Sequence, residues 1–150
     1  MNKFIKKLKT VLIYLSVLTV FSCHNPENVN ALLTENGLCD MSKSYCLLNG
    51  QLGTIKARFD KRPVTEEELL IHFDVPVELN LTRAQIKGIN MSMGIVQIML
   101  DEGHVRRTGT IFLGSCAEPM MAWRVILEVQ HKETKEIELL QAGFVTTRGL

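Results

Sequence analysis

From Gly50 onward the apolar residues of this chain recur at every second position in short runs. Residues 54–59 place Ile55, Ala57 and Phe59 on one face, the period of a half-buried strand. Residues 69–75 form an apolar-rich run ahead of Pro76, and their composition favours a strand. Residues 84–93 set Ile86, Gly88 and Asn90 against Lys87, Ile89 and Met91. Gly94 separates them from an apolar run at 95–100, and Asp101-Glu102-Gly103 is a turn sequence. Residues 108–113 alternate around Ile111 and Leu113, residues 123–129 align Trp123, Val125, Leu127 and Val129, and residues 137–145 close the series. About seven short strands at roughly ten-residue spacing predict an all-β fold, an immunoglobulin-like or cupredoxin-like sandwich. Trp123 is its expected core anchor. Thr65-Glu66-Glu67-Glu68 also fits a helix capping box. Residues 65–70, like 81–87, therefore stay open to a helical turn.

The start of the chain follows a different pattern. Lys3, Lys6, Lys7 and Lys9 precede an apolar run at 11–21, which ends at Ser22-Cys23. That is the layout of an export signal, and the run is too short for a membrane-spanning helix of about 20 residues. Val20-Phe21-Ser22-Cys23 resembles the lipobox of bacterial lipoproteins, with Phe21 standing where a small residue is usual. The resemblance implies that 1–22 is a signal peptide and that Cys23 is acylated as the first residue of the mature chain. Several acyl chains, at about 0.8 kcal/mol per buried CH₂, hold such a protein on a leaflet. The expected address is the bacterial cell envelope. His24, rather than Asp, follows the cysteine, which implies the periplasmic leaflet of the outer membrane in a Gram-negative cell. Residues 23–38 are polar at their start and predict a tether, with a short helix through Val29, Leu32 and Leu33 as the alternative. Residues 39–150 form the expected single domain.

Export changes the reading of charge and sulfur. The chain has 17 basic and 16 acidic residues, and four of the basic ones fall in the leader. The processed chain therefore carries a formal charge of −3. No basic stripe with interleaved aromatics is present, which argues against nucleic acid as a partner. With Cys23 assigned to lipid, Cys39 and Cys46 are the natural disulfide in an oxidising compartment. Cys116 is then the odd thiol: buried and inert, paired between chains, or chemically used. If Cys23 carries no lipid, two disulfides become available. The sequence shows no Gly-x-Ser-x-Gly elbow, no phosphate-binding glycine loop, no His-Glu-x-x-His and no Cys-x-x-Cys. A non-enzymatic role is expected.

The remaining chemistry is soft. Met91 and Met93 project from one face of an extended backbone. Leu113-Gly114-Ser115-Cys116 and Pro119-Met120-Met121 belong to a loop at one end of the predicted sandwich, where such folds carry sites. Thioether and thiolate donors select Cu(I). Met91, Met93 and Cys116, completed by Met120, Met121 or the turn residue His104, are the candidate ligands. Packing alone is the competing explanation, because methionine is a common core filler. His72 and His131 are expected to be structural. The set Asn90-Met91-x-Met93-Gly94, Gly114-x-Cys116 and Met121-x-Trp123 resembles a group of small secreted bacterial proteins. That resemblance implies copper handling around respiratory oxidase assembly. The chain lacks the His-Met ligand spacing of the established periplasmic Cu(I) chaperones. The alternative function is a metal-free module that docks an envelope protein, with exposed apolar surface at Leu47, Leu48 or Val77 as its footprint.

Overall fold

The computed structural model describes residues 28–103 and 105–147. The leader, Cys23 and His104 lie outside the described residues. The elements in chain order are α1 (Asn28–Glu35), β1 (Cys46–Asn49), β2 (Thr54–Phe59), β3 (Glu68–Asp74), β4 (Leu79–Gly88), β5 (Ile95–Gln97), β6 (Met99–Leu100), β7 (Arg106–Phe112), β8 (Met120–His131) and β9 (Ile137–Thr147). Strand pairing is antiparallel throughout the two sheets. One sheet runs β1-β2-β3-β7-β6 and the other β5-β4-β8-β9. Setting β1 aside, these are the A-B-E-D and C′-C-F-G orders of an immunoglobulin-like sandwich.

The alternating residues carry the fold as their pattern requires. Ile55, Ala57, Phe59, Leu69, Ile71, Phe73, Ile111, Trp123, Val125, Leu127 and Val129 are all buried between the sheets. Trp123 stacks on Phe144 at 6.2 Å between ring centroids, and Phe59 meets Phe144 edge-on at 4.8 Å. Residues 68–74 and 79–88 are strands. The capping-box sequence forms a turn instead, with Glu66 at φ 64°.

The apolar run at 95–100 is not one strand. It pairs with β4 up to Gln97 and with β7 from Met99, so the chain changes sheets at Ile98. That residue is buried, and its amide still donates to Ala84 O at 2.9 Å. Gly109 makes room for it, since a β-carbon there would collide with Ile98 Cγ2.

Residues 28–35, expected to be part of a tether, form α1. Val29 and Leu33 are buried in a second apolar cluster with Ala122 and Val145. Each such side chain contributes about 1.5–3 kcal/mol on burial, which outweighs the polar character of the flanking sequence. The helix ends in a Schellman motif: Leu38 N donates to Leu33 O, Gly37 N to Thr34 O, and Gly37 has φ 64°. Leu33 and Leu38 then close over Gly143, where a β-carbon would lie 2.6 Å from Leu33 Cδ2. The outer faces of β8 and β9 are accordingly buried at Ala122, Gly143 and Val145, beneath the helix. Among the described residues no helix is long and apolar enough to cross a membrane.

Cys39 and Cys46 form the expected disulfide. Residues 39–42 lie parallel along the free edge of β9, through Gly143 N to Cys39 O, Met41 N to Gly143 O and Val145 N to Ser42 Oγ, all at 2.7–2.8 Å. The disulfide ties this strap to β1, in the opposite sheet.

Candidate functional site

The registers define two ends of the sandwich. Leu79 faces His131 and Asp74 faces Arg106 at one end; Gly88 faces Trp123 and Glu68 faces Phe112 at the other. The loops at 60–67, 89–94 and 113–119 share this second end. Val64 bridges to Thr147 and Thr65 N donates to Thr147 O at 3.2 Å, which draws the two sheets together there.

The loop at 89–94 is stitched to the start of β8. Ile89 N donates to Ala122 O at 2.8 Å, Ala122 N to Asn90 Oδ1 at 2.9 Å, and Asn90 Nδ2 to Met120 O at 3.2 Å. The Asn90 side chain thus continues the β4–β8 ladder after the backbone has turned away. Gly94 reverses the chain at φ 68°. Met91 folds back over Gly88, where a β-carbon would lie 2.6 Å from Met91 O and 3.0 Å from Met91 Cγ. The Met93 methyl reaches across to the other loop, 3.5 Å from the β-carbon position of Gly114. Cys116 follows two residues later. Met91, Met93 and Cys116 are all half-buried and pack against the main core.

A third loop closes on the same end. Glu66 N donates to Leu113 O at 2.8 Å, and Ser115 Oγ donates to Glu66 Oε1 at 2.6 Å. The Glu66 carboxylate is therefore held beside the residue that precedes Cys116. A fixed negative charge at that position favours a cation nearby.

The other candidate residues separate. Met121 is fully buried in the main core, the cluster that Met91, Met93 and Cys116 pack against. Met120 points the opposite way, as neighbouring strand residues must, and packs with Val29 and Leu33 under α1. The two methionines cannot serve one site together. The residues flanking His104 belong to the β6–β7 turn at the far end, where Val105 O accepts from Val75 N at 2.7 Å. His72 lies within β3 with Nδ1 3.3 Å from Thr108 Oγ1. His131 ends β8, and its Nδ1 accepts from the amides of Glu133 and Thr134 at 3.3 and 3.2 Å.

Among the described residues, no group of three or more His, Cys, Asp and Glu side chains is placed to hold a metal ion. Asn90, Glu66 and Ser115 escape a reading of the sequence, because their partners lie on segments distant in the chain: the start of β8 for Asn90, and each other's loops for Glu66 and Ser115. The signal available in advance was Asn90, a turn-prone polar residue within an alternating run.

Fold and site together define an immunoglobulin-like β-sandwich with two half-buried thioethers and a thiol in loops at one end. No family model, no curated protein and no solved structure matches the chain.

Proposed function

We propose that this chain is an envelope protein, acylated at Cys23, whose sandwich binds or transfers Cu(I) through Met91, Met93 and Cys116. The observation that carries the reading is the meeting of two loops: the Met93 methyl lies against Gly114, two residues before Cys116. Soft sulfur donors select Cu(I) over the harder divalent ions. Half-burial suits a site that must both shield the ion and release it. Met121, in the same core cluster, is the reserve fourth sulfur. The role is binding rather than catalysis, and the address is the periplasmic leaflet of the outer membrane if the cell is Gram-negative.

Competition titration of the reduced protein against a chromophoric Cu(I) chelator tests this. A single Cu(I) per chain is expected, lost in the Met91→Leu, Met93→Leu double variant while its circular dichroism and melting curve stay unchanged. Equal affinity in the variant and the parent would end the proposal.

A second reading, a metal-free docking module for another envelope protein, has Leu47 and Val77 in its favour, 52% and 62% exposed. Leu48 is buried in the core and is no part of such a footprint. Cross-linking in intact cells that recovers only the monomer would count against it.

A further inference from the structure

We infer that the sandwich end bearing Met91, Met93 and Cys116 rests on the lipid headgroups of the leaflet. The inference rests on the acyl anchor proposed above and deepens it by naming the surface that meets the membrane. Helix α1 fixes the geometry. Val29 packs with Val145 and Ala122, in the cluster that also takes in Met120 and Ile89. Asn30 lines a hollow with Arg62, Met120 and Thr147. The helix therefore begins at the end where β8 starts and β9 finishes. Its far end, through Leu38, lies back along the strands at Gly143.

Cys23 stands five residues before Asn28. Fully extended, that span is at most about 18 Å, at ~3.3–3.6 Å per residue. Strand β8 has 12 residues and is roughly 36–40 Å long at ~3.3 Å per residue. An acyl group on Cys23 can thus bring the loops at 60–67, 89–94 and 113–119 to the leaflet, and the span is too short for the molecule to stand inverted on the turns at 50–53 and 132–136. The limit holds whatever conformation the intervening residues take. Lys61, paired with Glu67 at 2.6 Å, and Arg62 are exposed at the near end beside Asp60 and Glu66, so the contact rests on the anchor and not on a basic patch. The sulfur loops open onto the headgroup layer rather than into bulk solvent.

The test uses the full acylated chain in nanodiscs of phosphatidylcholine and phosphatidylglycerol doped with a gadolinium-chelating headgroup lipid. Flotation with vesicles of the same phospholipids reports the anchor. Amide signal loss reports orientation. The expected result is flotation, with signal loss at 60–67, 89–94 and 113–119 and retention at 50–53 and 132–136. Flotation with uniform loss, with no loss, or with loss centred on 132–136 overturns the orientation and leaves the anchor standing. Absence of flotation removes the anchor and this inference together.

Discussion

The indole of Trp123 donates a 2.8 Å hydrogen bond from Nε1 to Thr146 Oγ1, and both residues are buried. Trp123 lies on β8 and Thr146 on its neighbour β9. The pair closes the core just beneath the end that carries the sulfur loops. A tryptophan can be buried this deeply only if its N–H finds a partner. Thr146→Val keeps the shape and removes the acceptor. It should cost about 1–3 kcal/mol, the usual cost of an unmet buried donor. Thr146→Ser, which retains the hydroxyl, should lose much less. Urea denaturation followed by Trp123 fluorescence measures both.

Gly109 and Ile98 form a coupled pair. A β-carbon at 109 collides with Ile98 Cγ2 and approaches Ile71 Cγ2 to 3.0 Å. Gly109→Ala should destabilise the fold by about 1–3 kcal/mol through overpacking. Adding Ile98→Ala should recover part of that loss, although Ile98→Ala alone is destabilising. A double-mutant cycle that returns simple additivity would refute the packing argument.

The disulfide closes a short loop, with a separation of 7 residues between Cys39 and Cys46. The loop-entropy relation gives about 2–3 kcal/mol for a ring of that size. The Cys39→Ala, Cys46→Ala variant should therefore unfold at lower temperature. Amide exchange should accelerate at Gly143 and Val145, which bond to the strap, and remain slow at Leu127. Equal acceleration at all three amides would mean that the strap does not open by itself.

Parity along β8 makes a sharp prediction for the metal. Met120 faces α1 and Met121 faces the core. Met120→Leu should leave Cu(I) binding unchanged. A marked loss of affinity in that variant, with the fold intact, would move the site to the wrong side of the sheet.

Asp101 supplies a pH test at the far end. The backbone amide of Thr108 holds its carboxyl below the usual range, helped by the amide of Gly103 and by Arg107, whose Nε lies at 3.2 Å. A depressed carboxyl contributes stability above its unfolded value, and that contribution fades as pH falls through the folded one. The melting temperatures of the parent and Asp101→Asn should differ at neutral pH and converge as pH drops below 3.8, the ordinary value for Asp. A constant gap across that range would show that Asp101 acts by something other than its charge.

Much of the sandwich was legible because each buried face has its own period-two run. The failures have physical causes. The run at 95–100 gives no sign of changing sheets, since the corner at Ile98 is set by the space above Gly109 rather than by a turn residue. Helix α1 was signalled by Val29, Leu32 and Leu33, but the polar stretch before it suggested a tether. The placement of the methionines depended on where β8 begins. With the strand started at Trp123, Met120 and Met121 share a loop. With Met120 as its first residue, they fall on opposite faces. The bond of Glu66 to the loop at 113–119 needs two distant loops to meet and leaves no local trace, whereas Asn90 is at least a turn-prone polar residue in an alternating run.

The change of sheet at Ile98 has one more effect. It leaves β5 with three residues and β6 with two, so neither edge strand itself offers a long row of open amides and carbonyls. On the opposite flank the strap occupies part of β9, and β1 has only four residues. Long bare margins are where β-proteins graft onto one another. The stretch of β9 before the strap, from Ile137 to Ala142, keeps an open edge with Ile137 and Leu139 exposed, and that is where a crowded copy finds a margin to pair with.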